Sequence, residues 1–177
     1  GDLIDLVMLT ERHRERLRRE ILFATRSPRF ASIVALLQSV PGIGEIWAAI
    51  IVAEIGPFER FPNADALEFW AGLTADMKES AGRTTSGNIT KAGSVNLRWA
   101  LCQAAVTLCQ CDARQEATRQ RLVGRIGKPR ANVAMGRRLL RILYAMVRDG
   151  KAFERGESRD RTTAANRARL KRKKQVA

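Results

Sequence analysis

The stretch SVNLRWALCQAAVTL, residues 94–108, puts apolar side chains around most of a helical circumference. Val95, Leu97, Trp99, Leu101, Cys102, Ala105, Val106 and Leu108 leave little room for a solvent face. A helix that is apolar nearly all round belongs at the centre of a domain. Ser94 stands where an N-cap is needed to start it. Such a helix must be covered by others, and the flanking sequence offers them.

Downstream, a polar helix is expected over about 113–124, interrupted by Gly124 and then by Gly127–Pro129. ANVAMGRRLLRILYAMVRDG, residues 131–150, is the last clear helical pattern. Upstream of Ser94, residues 74–93 read as a loop rich in glycine, serine and threonine. Before it, Asn63 has the form of an N-cap with Asp65 and Glu68 in the first turns. Leu67, Phe69, Trp70 and Leu73 predict a largely buried helix there. SVPGIGEIWAAIIVAEIG, residues 39–56, reads as a tight turn at Pro41, Gly42 and Gly44 leading into an apolar helix that Gly56 and Pro57 end. Ser27 and Pro28 mark the start of the helix before that turn. Residues 3–24 carry Leu3, Val7, Leu17, Ile21 and Leu22 at near-heptad spacing, as in a protruding helix that pairs with something or leans on the domain.

No strand pattern persists, so the fold class is all-α. The expected organisation is a helical arm over 1–26, a helical domain over 27–150 and a basic tail over 151–177. The tail, ending in RARLKRKK, is expected to lack structure of its own until bound.

Lys and Arg total 32 against 18 Asp and Glu, a net charge of +14. That excess favours a polyanionic partner, nucleic acid before an anionic membrane surface. No stretch approaches the roughly 18 unbroken apolar residues of a membrane span. The first residues carry acids and no cleavage site, so no signal peptide is expected. Without an initiator methionine, the chain reads as a piece of a longer protein. Cys102, Cys109 and Cys111 are an odd number in one apolar region. They read as buried structural thiols in a reducing cytoplasm rather than as disulfides. A metal site is not expected, because the single histidine, His13, lies far from them.

Two places could carry chemistry. PGIG, residues 41–44, has the form of a helix-hairpin-helix turn, in which Gly42 and Gly44 let the backbone approach a phosphate and the next helix offers unpaired amides. A plain turn between two helices would have the same glycines, and Glu45 would compete for those amides. The second place is MKESAGRTTSGNITKAGSVNLRWAL, residues 77–101. Ser80 could attack phosphorus if something removed its proton, yet no histidine is near to do so. Lys91 and Arg98 suit phosphate contacts. Arg98, one turn into an apolar helix, could instead snorkel outward or pair with Asp76 or Glu79.

Three blocks together resemble a known family. LLQSVPGIGEIWAAIIVAEIGPFERFPNADALEFWAGL, ESAGRTTSGNITKAGSVNLRWALCQAA and GRRLLRILYAMVRDG are similar, in order and spacing, to the carboxy-terminal domain of the IS one-ten and Piv family of insertion-sequence transposases. The resemblance runs from about residue 34 to 150. It implies a DNA recombinase guided by a structured bridge RNA, working as a homo-oligomer in the bacterial or archaeal cytoplasm. It also implies an amino-terminal RuvC-like domain that holds Mg2+ on four acidic residues and joins this part through a helical arm. By that resemblance Ser80, ahead of ITKAG, is the nucleophile that forms a phosphoserine link to DNA. Lys91 and Arg98 then fall at the family's basic positions and Gly82 and Gly93 at its loop glycines. Arg83 is expected to position nucleic-acid phosphate with Lys91 and Arg98, and Gly82 to lie in the same binding region. This chain departs from the family pattern at Ala75, at Ala81 after the serine and at Ser94. With no acidic metal site before Leu3, it is expected to bind nucleic acid and not to recombine DNA unaided. The rival is a non-catalytic helix-hairpin-helix module that binds nucleic acid.

Overall fold

The computed structural model describes residues 2–80 and 83–155; at Arg29 and over 75–80 and 83–88 the description is of the backbone. Seven α-helices make up the body among the described residues, in keeping with the all-α expectation: α1 (Asp2–Thr25), α2 (Pro28–Gln38), α3 (Glu45–Ile55), α4 (Ala64–Trp70), α5 (Val95–Cys111), α6 (Ala113–Ile126) and α7 (Lys128–Asp149). A short 3-10 turn, Phe58–Arg60, precedes α4.

The central helix is α5, which packs against α3, α6 and α7. Leu97, Ala100, Leu101, Ala104, Ala105, Leu108 and Cys109 are buried on it. Its small residues let neighbours come close. A side chain on Gly136 of α7 would meet Cys102 Sγ at 3.1 Å, and one on Gly42 would meet the Ala104 carbonyl at 2.9 Å. Leu139, Leu140 and Leu143 of α7 and Leu37, Ile51 and Ile55 of α2 and α3 complete the core, each at most 1% exposed. Burying each such side chain contributes about 1.5–3 kcal/mol.

The expected caps are present. Ala66 N donates to Asn63 Oδ1 at 2.8 Å and Leu97 N donates to Ser94 Oγ at 3.2 Å; Ser27 takes the N-cap position before Pro28 at the start of α2, without a side-chain capping bond. Asp112, buried, caps α6 through Gln115 N at 3.0 Å.

Several expectations change. The segment read as a loop holds a two-stranded antiparallel hairpin, β1 (Ala75–Ser80) and β2 (Arg83–Ile89). Gly124 lies inside α6, and Pro129 sits in the first turn of α7, where a missing N–H costs nothing. α4 is short and buries Leu67 and Glu68, while Phe69 is 68% exposed, because a two-turn helix has a single inward stripe. Val95 and Trp99 of α5 are likewise exposed. All three cysteines are free; Cys109 is buried, Cys102 partly so, and Cys111 is exposed rather than buried. The arm α1 buries no residue and touches α3 and α2.

Candidate nucleic-acid interface and serine hairpin

The hairpin begins and ends on backbone contacts that demand glycine. Gly72 has φ +66, and a side chain there would meet Ala92 N and Gly93 N at 2.7 Å. A side chain on Gly93 would come within 2.3 Å of the Trp70 carbonyl oxygen. Two bare backbones are therefore pressed together where the hairpin leaves the body. Lys91 N donates to the Gly72 carbonyl at 3.2 Å and Thr90 N to the Thr74 carbonyl at 3.0 Å. Lys91 itself takes a left-handed backbone, φ 56, and its side chain is exposed.

Arg98 completes this stem. Its Nη1 donates to the Gly93 carbonyl at 2.6 Å and reaches the Ala71 carbonyl at 3.4 Å. The guanidinium is thus spent on the two chain segments that form the stem. Its Nη1 faces backbone carbonyls; the side chains of Asp76 and Glu79, the acids considered for it, lie outside the described residues.

The stem rests on α4, and α4 is tied to α7. The fully buried Glu68 carboxylate receives Arg137 Nε through Oε2 and Arg141 Nε through Oε1, each at 2.5 Å. Arg141 also pairs with Asp65. These carboxylate contacts, Glu68 foremost, raise the already high pKa of Arg141. Beside them the Arg60 guanidinium lies 4.5 Å above the rings of both Phe61 and Trp70.

From this stem the strands run outward in register Lys78–Thr85, Glu79–Thr84 and Ser80–Arg83, with an irregularity between Ala75 and Met77. Ser80 and Arg83 therefore close the far end, about 17 Å of strand from Ala75. The strands pair chiefly with each other; Ile89, near the stem, packs partly against the core. Gly82 lies outside the described residues, as does Ala81.

The remaining candidates sit elsewhere. Gly42, φ +95, is held against Ala104 and Thr107 of α5, so the close approach it permits is to this protein's own helix. Gly44 is the N-cap of α3 with nothing within 4 Å of where a side chain would be. Glu45 follows it and faces Arg18 of α1 at 4.0 Å. The proposed residues thus fall in three places: Ser80 and Arg83 at the tip, Lys91 and Arg98 at the stem, and Gly42 and Gly44 at the α2–α3 turn. The sequence marks Glu68 as an acid near a helix start, not as a partner of two arginines, and leaves Gly72 unmarked, although a glycine after an apolar helix is a recognisable sign of a left-handed cap.

Among the described residues no three His, Cys, Asp or Glu side chains gather as metal ligands. No described helix is long and apolar enough to cross a membrane.

Comparison with known proteins bears on this arrangement. The family model described as transposase IS116/IS110/IS902 matches residues 34–120. The chain is 32% identical over 150 residues to a probable family 20 transposase of Pseudomonas aeruginosa, covering 82% of this chain and 44% of that protein. It is 30% identical over 121 residues to the insertion element IS110 uncharacterized 43.6 kDa protein of Streptomyces coelicolor, covering 67% of this chain and 30% of that one. A transposase for insertion sequence element IS1111A, from Coxiella burnetii, is 26% identical over 124 residues, covering 68% and 34%. The chain spans less than half the length of each of these relatives.

Proposed function

We propose that this chain, whose residues 34–120 match the IS116/IS110/IS902 transposase family model, is the serine-bearing, carboxy-terminal part of an RNA-guided DNA transposase. Its partners are DNA, a bridge RNA, the RuvC-like domain of the same protein and further copies of itself. The observation that supports this most is the place of Ser80. It ends a two-stranded arm whose other end is clamped by Gly72, Gly93 and Arg98.

The step assigned to Ser80 is a displacement at phosphorus. Its Oγ forms a bond to a DNA phosphodiester, the bond from phosphorus to one deoxyribose oxygen breaks, and that oxygen takes up a proton. The hydroxyl proton leaves to a base supplied from outside this chain. Arg83, paired with Ser80, Gly82, two residues after it in sequence, and Lys91, at the stem, approach phosphate. Arg98 acts through the stem as a positioning residue. The chain alone binds nucleic acid without recombining it.

The test uses the full-length protein. Ser80→Ala is expected to abolish the protein–DNA adduct that survives denaturing electrophoresis, with DNA and RNA binding nearly unchanged. An adduct that persists removes Ser80 from the role.

A second reading, a non-catalytic helix-hairpin-helix module, is favoured by Gly44, which opens the start of α3 to solvent. On that reading Gly44→Val weakens binding while Ser80→Ala changes nothing.

A further inference from the structure

A cleft of about 410 Å³ lies between the start of α6, the end of α7 and residues 151–154. Arg138 of α7 lines it, its Nε donating to Gln115 Oε1 at 2.8 Å. Gln115 is 5% exposed, and its backbone N donates to Asp112 Oδ1 at 3.0 Å. A neutral amide therefore holds this guanidinium in place without cancelling its charge. Arg114 and Lys151 line the same cleft, and Arg114 forms no ion pair among the described residues. Two acids also face it. Asp149 is engaged chiefly by Arg148, at 2.7 and 3.1 Å, and also feels Lys151; Glu154 is the second acid against Arg114, Arg138 and Lys151.

The positive charge continues along α6. Arg121 and Arg125 follow Arg114 by seven and eleven residues, so all three share one exposed flank, at rises of about 10 and about 16 Å. The acid of this helix, Glu116, bonds Arg119 through both oxygens at 2.8 Å, and that contact lowers its pKa, so it stays charged and occupied.

We infer that this cleft and flank bind the phosphodiester backbone of a nucleic acid, as a second contact face separate from the hairpin. Arg138, Arg114 and Lys151 hold one phosphate in the cleft, and Arg121 and Arg125 contact the backbone as it runs along α6. The face is remote from the stem, because thirteen residues of α5 separate Arg98 from Cys111, about 20 Å of helix. Contacts of this kind carry affinity rather than sequence preference. The assignment rests on the nucleic-acid binding proposed above and is independent of Ser80.

The test measures binding of the 177-residue chain to a labelled 30-base-pair duplex DNA and to an RNA hairpin across a salt series. Two double variants are compared, Arg114→Gln with Lys151→Gln, and Arg121→Gln with Arg125→Gln; circular dichroism verifies their helix content. Each is expected to bind one or both nucleic acids about tenfold more weakly at 100 mM salt, with the slope of log K against log salt reduced by about two. Which of the two loses affinity identifies the backbone that uses the face. Folded variants with unchanged affinity and slope for both overturn the assignment and leave the Ser80 reading standing. Failure of the unmodified chain to bind either overturns both nucleic-acid readings.

Discussion

The Arg98 guanidinium donates to the Gly93 carbonyl 2.6 Å away and so ties the start of α5 to the last residue before its own cap. The same nitrogen lies 3.4 Å from the Ala71 carbonyl at the end of α4. One side chain therefore joins the two segments between which the hairpin emerges, and a charged donor makes these bonds stronger than neutral ones.

Replacing Arg98 loosens that junction more than it alters the body. Arg98→Ala is expected to cost about 1–3 kcal/mol and to speed hydrogen exchange at the amides of Thr90 and Lys91, whose acceptors belong to the stem. Arg98→Lys should recover little of this, because an ammonium lacks the planar fork. Native-state hydrogen exchange followed by mass spectrometry checks both; unchanged exchange at 90 and 91 counts against the clamp.

The glycines of the stem should tolerate nothing larger. Gly93→Ala brings a methyl against a backbone oxygen, and Gly72→Ala adds a left-handed backbone to a similar collision. Each is expected to cost about 1–3 kcal/mol or more. Gly44→Ala, with open space around it, serves as the control and should change the thermal midpoint little.

Glu68 with Arg137 and Arg141 should behave non-additively. Either arginine alone can hold the buried carboxylate, so Arg137→Met or Arg141→Met costs little. Removing both strands a charge that is 0% exposed, with a loss of about 3–5 kcal/mol. Urea denaturation of the two single variants and the double variant gives the coupling directly. Additive losses would show that the carboxylate finds another partner.

The cysteines separate by surroundings. In the native protein a thiol reagent should modify Cys111 first, and Cys109 chiefly after unfolding. Burial, reinforced by Glu116 and opposed by Arg119, pushes the Cys109 thiol from its ordinary value of 9.0 up to about 11. The unfolded chain then gives up that proton before the folded chain does. The Cys109 contribution to stability is therefore full below about pH 9 and is lost as pH rises to about 11. Denaturant midpoints across that window should fall less for Cys109→Ala than for the unmodified chain.

The helical body was legible because its signals are local. Ser27, Asn63, Ser94 and the Gly56–Pro57 pair mark helix ends wherever they stand, and the dense apolar pattern of α5 required burial. The hairpin escaped notice for a physical reason. A strand is recognised by one apolar face, and KES and RTTSGN have none, since these strands lean chiefly on each other. The clustered Thr84, Thr85, Ile89 and Thr90 were the available hint. Tertiary partners were less accessible still. Nothing local says that Gly42 rests on Ala104, that Glu68 meets two arginines about seventy residues later, or that Arg98 spends its donors on carbonyls. The exposure of Phe69, Val95 and Trp99 likewise depends on which neighbours are present, not on the residues themselves.

The stem between Gly72 and Gly93 also defines a graft point. Among the described residues, what lies beyond it is joined to the body by two chain crossings, two bare glycines, the Arg98 guanidinium and the partly packed Ile89. Arms of different length or tip sequence could be exchanged there while the body stays the same, provided the receiving protein keeps Gly72, Gly93 and Arg98. Diversification of such a protein can therefore proceed by swapping the arm, leaving the α5 core untouched.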